Sequence, residues 1–362
     1  MTEEQLKVSF SNYERTVWVI NSVEGHLLRY YRDVLICFDR FPAFPMGDGS
    51  TLTPDFAVSF INDFHFIGEV KRALGLDQRT IEQNFEQLVR YDQNLKFRRA
   101  PGEPHDWAVA SHDLVLFVNV EHARKEAKKL RQLIEADGRP TRPVIIFHIA
   151  YDQQQAKARW ILSCITDLSG RFSDAQLPEE KRLSIRHQDN EEPIVIYTNE
   201  FAALQATQSF CNDDPPNIYT AVILWARVFP RLMPSEQRAT WVLEANLQGI
   251  SEFGTTIEAI LTERERLRLR VRKKQVIEAI QLLAQGKLVV QDGDGLLVRY
   301  RRFRPARVDE DDDDAAEAAI DYTKAGLIRE ISRGASGKTR QQLASSHGRK
   351  GSRHDPNQLP LL

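Results

Sequence analysis

Between Pro54 and Lys71 the chain reads, residue by residue, as two strands and the turn that joins them. Phe56, Val58 and Phe60 fall on one face of the first strand, with Ala57 and Ser59 on the other. Phe64, Phe66 and Val70 share one face of the return strand, and Ile67, Glu69 and Lys71 share the opposite one. Asn62-Asp63 supplies turn-favouring residues between them. A turn centred on Asn62 sets Asp55 directly across from Glu69 in an antiparallel ladder, where Cβ atoms lie about 5 Å apart. Lys71 is two residues further and projects to the same side, about 6.6 Å along the strand. The pattern therefore commits this stretch to a hairpin with one packing face and one face that gathers two carboxylates and an amine.

Two facing carboxylates suit a hard divalent cation such as Mg²⁺ or Mn²⁺. Such an ion takes oxygen ligands, needs only one or two side chains when a phosphate completes the shell, and keeps several waters. A cation there lowers the pKa of a bound water and offsets charge on phosphoryl oxygens, while a neighbouring ammonium orients the attacking group.

Asp55 followed by Glu69-Val70-Lys71 resembles the motif of the PD-(D/E)XK nuclease superfamily. The next helix strengthens the likeness, because Gln87-Leu88-Val89-Arg90-Tyr91 is similar to the Gln-xxx-Tyr signature of the RecB-like branch. Gln87 and Tyr91, four residues apart, share a helical face. The resemblance covers roughly the first half of the chain. It implies a restriction-endonuclease-like α/β fold, a mixed sheet flanked by helices, with Asp55, Glu69 and Lys71 catalytic and Gln87 and Tyr91 contacting substrate. Upstream, the spacing of Ile20, Leu27, Leu28, Tyr31 and Leu35 predicts an amphipathic helix from about Asn12 to Asp39. Glu24 lies within that stripe. The resemblance implies a metal-ligand role for it beside Asp55 and Glu69; as a residue type, a glutamate at the edge of an apolar stripe equally serves an ion pair.

Further along, strands are expected at Leu114–Val120, Val144–Ile149 and Ile194–Tyr197, with a charged helix to about Ala136 and a surface loop over Ser173–Glu192. From about Ser235 the pattern changes to helices at Gln237–Leu247, Thr255–Leu261 and Arg272–Ala284. A hairpin follows, turned by Asp292-Gly293-Asp294-Gly295. Helices followed by a β-wing resemble a winged helix-turn-helix. Its third helix is approached through Arg268, Arg270, Arg272, Lys273 and Lys274, and its wing ends in Arg299, Arg301 and Arg302. Clustered cations of this kind neutralise phosphates and give salt-sensitive affinity for DNA.

The organisation expected is thus a nuclease-like domain at 1–205, a winged-helix DNA-binding domain at 206–305, and a disordered charged tail at 306–362. The tail contains an acidic block at 309–314. Gly334 to Thr339 looks like a phosphate-loop fragment, but Ser332 stands where the first glycine belongs and no apolar strand feeds it. The last five residues, with Gln358, Leu359, Leu361 and Leu362, are similar to peptides by which bacterial DNA-processing proteins dock on the sliding clamp. A homodimer or larger complex is compatible with such a layout.

Overall charge is uninformative, since 49 basic residues stand against 51 acidic in a chain of 362. The three cysteines, Cys37, Cys164 and Cys211, are isolated and odd in number, which argues against a disulfide framework. The nine histidines lack zinc-ligand spacing. No run approaches a membrane span and the first residues lack signal-peptide character, so no membrane partner and a cytoplasmic location are expected. The functional expectation is a metal-dependent DNA endonuclease of restriction, defence, repair or transposition. The alternatives are a ribonuclease and a DNA-binding scaffold on a degenerate nuclease fold.

Overall fold

The computed structural model describes residues 2–71, 77–100, 102–109, 111–118, 123–152, 159–165, 172–186, 193–197, 210, 214–237, 251–301, 303 and 322–334. The hairpin forms as its alternation requires, with β4 (Phe56–Phe60) antiparallel to β5 (His65–Lys71) and Phe56 opposite Gly68. Asn62 and Asp63 adopt φ of 58° and 62°, a left-handed conformation their short polar side chains tolerate better than most residues. Gly68 is obligatory for packing, because the ring of Phe56 fills the space a Cβ would occupy, 2.0 Å from its nearest atom.

β4 and β5 belong to a seven-stranded mixed sheet that also contains β1 (Leu35–Arg40), β8 (Asp113–Val118), β9 (Val144–Asp152), β10 (Arg159–Ile165) and β11 (Ile194–Tyr197). The strand order is β1-β4-β5-β8-β9-β10-β11. β5, β8 and β9 run parallel, joined through α2 (Gln78–Tyr91) and α3 (Ala123–Asp137), and the remaining pairs are antiparallel. Helices cover both faces of the parallel strands, so all six residues of β8 are buried. Two short hairpins lie between the main elements: β2 (Phe44–Pro45) with β3 (Thr51–Leu52), and β6 (Lys96–Phe97) with β7 (Trp107–Ala108).

The first helix, α1, runs Glu3–Tyr30 rather than from Asn12 to Asp39, and starts on a Thr2–Gln5 capping box. The expected helix extends too far because Tyr31 and Leu35 continue the apolar spacing. After Tyr31 and the turn at 32–34, however, the chain enters edge strand β1, whose Cys37 to Arg40 pair in register with Ser59 to Phe56. One core gathers Ile20, Val23 and Leu27 of α1 with Phe56, Val58, Phe60, Phe66 and Phe117 of the sheet. The other gathers Ala57, Ile67, Leu114 and Leu116 with Leu88 and Tyr91 of α2 and Ala127 and Leu130 of α3. The hairpin's second face therefore packs as well, against α2 and α3, and does not only gather the carboxylates and the amine. β10 has no counterpart among the expected strands. The expected loop over 173–192 holds a one-turn helix, α4 (Leu183–Arg186), with the Asp174 carboxylate accepting from Ser184 N–H at 2.9 Å.

The C-terminal part begins with α5 (Asn217–Ile223), continued through a π-helical stretch at Leu224–Val228 into α6 (Phe229–Leu232). There follow β12 (Ser251–Thr255), α7 (Ile257–Arg266), α8 (Lys273–Gln285), β13 (Val289–Asp292) and β14 (Gly295–Tyr300), with sheet order β12-β14-β13. Almost all of the helix expected at 237–247 lies outside the described residues. The tail departs from expectation at 322–334, which form a helix, α9, instead of a disordered segment. Leu327, Ile328 and Ile331 provide its apolar face and are buried. Glu330 bonds Arg301 at 2.7 Å, and Lys324 bonds Glu14 of α1 at 2.9 Å. The described part of this helix reaches Gly334, so the phosphate-loop-like fragment is entered from a helix and not from a strand. Phe10 and Tyr13 of α1 pack their rings on Tyr219 of α5, at centroid distances of 5.1 and 4.5 Å, which ties the first helix to the C-terminal part. Among the described residues no helix is long and apolar enough to cross a membrane.

Candidate active site

Continuing the β4–β5 register by one pair sets Asp55 across from Glu69. The Asp55 backbone is fixed by Phe41 N–H on its carbonyl at 3.0 Å, and its Oδ2 accepts Val70 N–H at 2.7 Å. Oδ1 makes no hydrogen bond among the described residues. Burial, then the neighbouring Glu69 charge, push the Asp55 carboxyl up to about 8, against the smaller opposing pull of Val70 N–H and Lys71. Asp55 retains partial solvent contact, which moderates that rise without reversing it.

Glu69 is buried and is held from two sides. Tyr91 donates its hydroxyl to Oε1, and Lys71 Nζ lies 3.0 Å from Oε2. Lys71 also donates to Gln87 Oε1 at 2.5 Å, and Gln87 Nε2 donates to Tyr91 Oη at 2.9 Å. Glu69, Lys71, Gln87 and Tyr91 thus close a four-membered hydrogen-bonded ring that clamps β5 to α2. The helical step from Gln87 to Tyr91 makes the closure possible. Burial first, and Glu69 second, raise the Tyr91 phenol well above its ordinary value, so it remains a donor. Lys71 has three N–H donors and the ring uses two. Among the described residues the third has no partner, which leaves it for a water or a substrate oxygen.

These groups fit a divalent cation. Two carboxylates face each other, one oxygen of Asp55 is uncommitted, and the like-charge repulsion that lifts Asp55 is relieved by a positive ion. No three His, Cys, Asp or Glu side chains cluster as a metal site among the described residues. An ion at Asp55 and Glu69 would therefore take its other ligands from water and substrate, as Mg²⁺ commonly does.

Glu24 does not join Asp55 and Glu69 in a three-acid cluster among the described residues. Arg40 pairs with Phe56 across β1 and β4, on the α1 side of the sheet, and there its Nε and Nη2 both bond Glu24 Oε2, the Nε contact at 3.0 Å. Sequence reasoning missed Asp39, which pairs with Ala57 and so shares the sheet face of Asp55, one row along. Its Oδ2 lies 2.9 Å from both Arg98 Nε and His105 Nε2, and His105 stacks on Phe44. Nothing local in sequence joins positions 66 residues apart. Also missed was a cleft beside α2, lined by Thr51, Thr53, Gln83, Glu86 and Arg90 together with Gln87 and Tyr91.

The expected basic residues divide into two groups. In the segment entering α8, Leu267, Leu269 and Val271 are buried while Arg268, Arg270, Arg272, Lys273 and Lys274 are exposed, so alternation turns the cations outward along one ridge. Arg268, Arg270 and Lys273 make no ion pair among the described residues. Arg299 and Arg301 are instead engaged internally, by Glu252 of β12 at 3.0 Å and by Glu330 of α9 at 2.7 Å. Arg302, Gln358, Leu359, Leu361 and Leu362 lie outside the described residues. Comparison of the chain with protein families, curated proteins and solved structures gives no match.

Proposed function

We propose that this chain is a divalent-cation-dependent nuclease that hydrolyses DNA phosphodiester bonds. The observation that carries the reading is the convergence of Asp55, Glu69 and Lys71, the last two locked by Gln87 and Tyr91. The order α1-β1-β4-β5-α2-β8, with the acids on the hairpin and Gln-xxx-Tyr on the next helix, accords with the PD-(D/E)XK resemblance. Asp55 and Glu69 would hold Mg²⁺ or Mn²⁺, which when bound supplies a water of lowered pKa and offsets phosphoryl charge. Lys71 directs its remaining N–H at the nucleophile or at a non-bridging oxygen, where fixed donors act most strongly. Gln87 and Tyr91 keep the Lys71 and Glu69 side chains in one geometry, so little reorganisation accompanies the reaction.

The C-terminal unit supports a winged-helix reading. Two helices precede a hairpin, and a preceding strand completes the sheet in the order β12-β14-β13. The cationic ridge at Arg268 to Lys274 enters α8, the helix such a module presents to a groove. DNA contact is assigned to this ridge rather than to the wing, where Arg299 and Arg301 each already pair with a glutamate of the chain. The test is incubation with supercoiled plasmid, linear duplex, single strands and RNA, in Mg²⁺, Mn²⁺ or EDTA, beside Asp55→Asn and Lys71→Ala. Metal-dependent DNA cleavage lost in both variants is expected. Binding without cleavage marks a scaffold, preferential RNA cleavage marks a ribonuclease, and equal activity in the variants places the site elsewhere.

A further inference from the structure

The face of α2 that closes the hydrogen-bonded ring also forms one wall of a cleft of about 420 Å³. Gln83, Gln87 and Arg90 follow one another at steps of four and three residues, so they line up along one side of the helix. The opposite wall is β3 and its extension, where Thr51 and Thr53 lead directly to Pro54 and Asp55. Tyr91, which lines the cleft, bonds Glu69, and Gln87 beside it bonds Lys71, so the cleft adjoins the acidic site.

Its chemistry is directional. The threonine hydroxyls and the Gln83 amide donate and accept, Glu86 accepts, and Arg90 donates. Arg90 is exposed and has no ion pair among the described residues. It lies near enough to Asp48, at the β2–β3 turn, to help hold that carboxyl below its usual range, after the stronger bonds from the Ser50 side chain and N–H. A guanidinium thus stands beside the β2–β3 turn, at a cleft whose walls carry both donors and acceptors. The volume lies at the low end for small-ligand sites, room for a nucleoside-sized group and not for a base pair with two backbones. Mixed donors and acceptors match the Watson–Crick edge of a base, which is free only when the base is unpaired.

We propose that this cleft seats one unpaired nucleotide next to the phosphodiester presented to Asp55 and Glu69. Arg90 contacts its phosphate, and Gln83, Glu86 and Thr53 contact the base edge. The assignment rests on the nuclease reading and names its substrate class, a DNA strand that is unpaired beside the cut rather than an intact duplex.

The experiment is photocross-linking of the full chain, in EDTA, to a short DNA strand carrying 5-iodouracil, free or annealed to its complement, with the linked peptides mapped by mass spectrometry. The free strand is expected to cross-link within residues 78–91. Annealing should abolish that product, and Arg90→Ala and Gln83→Ala should each lower its yield, the former about tenfold. Cross-links confined to residues beyond 250, or equal yields from strand and duplex, overturn the proposal. Because EDTA removes any need for cleavage, failure here leaves the plasmid assay to judge the reaction separately.

Discussion

Replacing Asp55 by asparagine should make the metal-free protein more stable at alkaline pH while abolishing its chemistry. Burial and Glu69 disfavour the charged carboxylate, so the folded state holds the Asp55 proton to higher pH than the unfolded chain does. The sign follows from linkage: an acid whose folded pKa is raised lets the folded state bind more protons between the two values, so stability falls as pH rises through that window. Here the window runs from 3.8 to about 8. At 1.36 kcal/mol per pH unit the ceiling is about 5–6 kcal/mol. Solvent contact at Asp55 screens the interaction and reduces the expected effect to about 1–3 kcal/mol. The substituted asparagine is uncharged, and its amide oxygen can still accept Val70 N–H. Urea unfolding in EDTA at pH 5 and pH 8 should therefore show the wild type losing stability relative to Asp55→Asn as pH rises, with the variant ahead at pH 8. Adding Mg²⁺ at tenfold excess over its dissociation constant should return about 1.4 kcal/mol to the wild type and nothing to the variant. Parallel pH profiles, or a variant less stable at pH 8, would refute the claim that Asp55 and Glu69 form a strained anionic pair.

Further outcomes follow from the same geometry. Tyr91→Phe and Gln87→Leu should be non-additive in unfolding free energy by about 1 kcal/mol, because each breaks the same ring; additivity within about 0.3 kcal/mol would deny the ring. Glu24→Gln should destabilise by about 3 kcal/mol through its largely buried Arg40 partner while leaving Mn²⁺ stoichiometry intact, and loss of Mn²⁺ binding would return Glu24 to the metal shell. Alanine at Arg268, Arg270 and Lys273 together should weaken duplex binding and flatten log affinity against log salt by about 0.9 for each phosphate no longer neutralised, and an unchanged slope would remove the ridge from the interface.

The sequence carries the hairpin in full, because a period of two and an Asn-Asp turn leave one register that buries Phe56, Phe60 and Phe66 together. It also carries the Gln87–Tyr91 pairing, a matter of helical spacing alone. It misleads where one periodicity runs into another: Leu35 extends the apolar stripe of α1, yet Leu35 to Arg40 form a strand once Phe56 to Phe60 are available to pair. The Glu24–Arg40 ion pair is hidden for the same reason, since the strand that brings Arg40 to Glu24 continues the apolar spacing of α1. The covered second face, the Asp39–Arg98–His105 cluster and the cleft depend on how β2–β3 and α2 fold over the sheet, and no local pattern encodes that. In the tail, the apolar spacing of Leu327, Ile328 and Ile331 is legible but is outweighed by the polar composition around it.

Titration of the metal-free chain with Mn²⁺, following free ion by electron paramagnetic resonance, tests the central claim most directly. The account predicts Mn²⁺ binding that Mg²⁺ displaces and that Asp55→Asn and Glu69→Gln each remove, with both variants still folded. Unchanged binding in those folded variants, or none in the wild type, would contradict it.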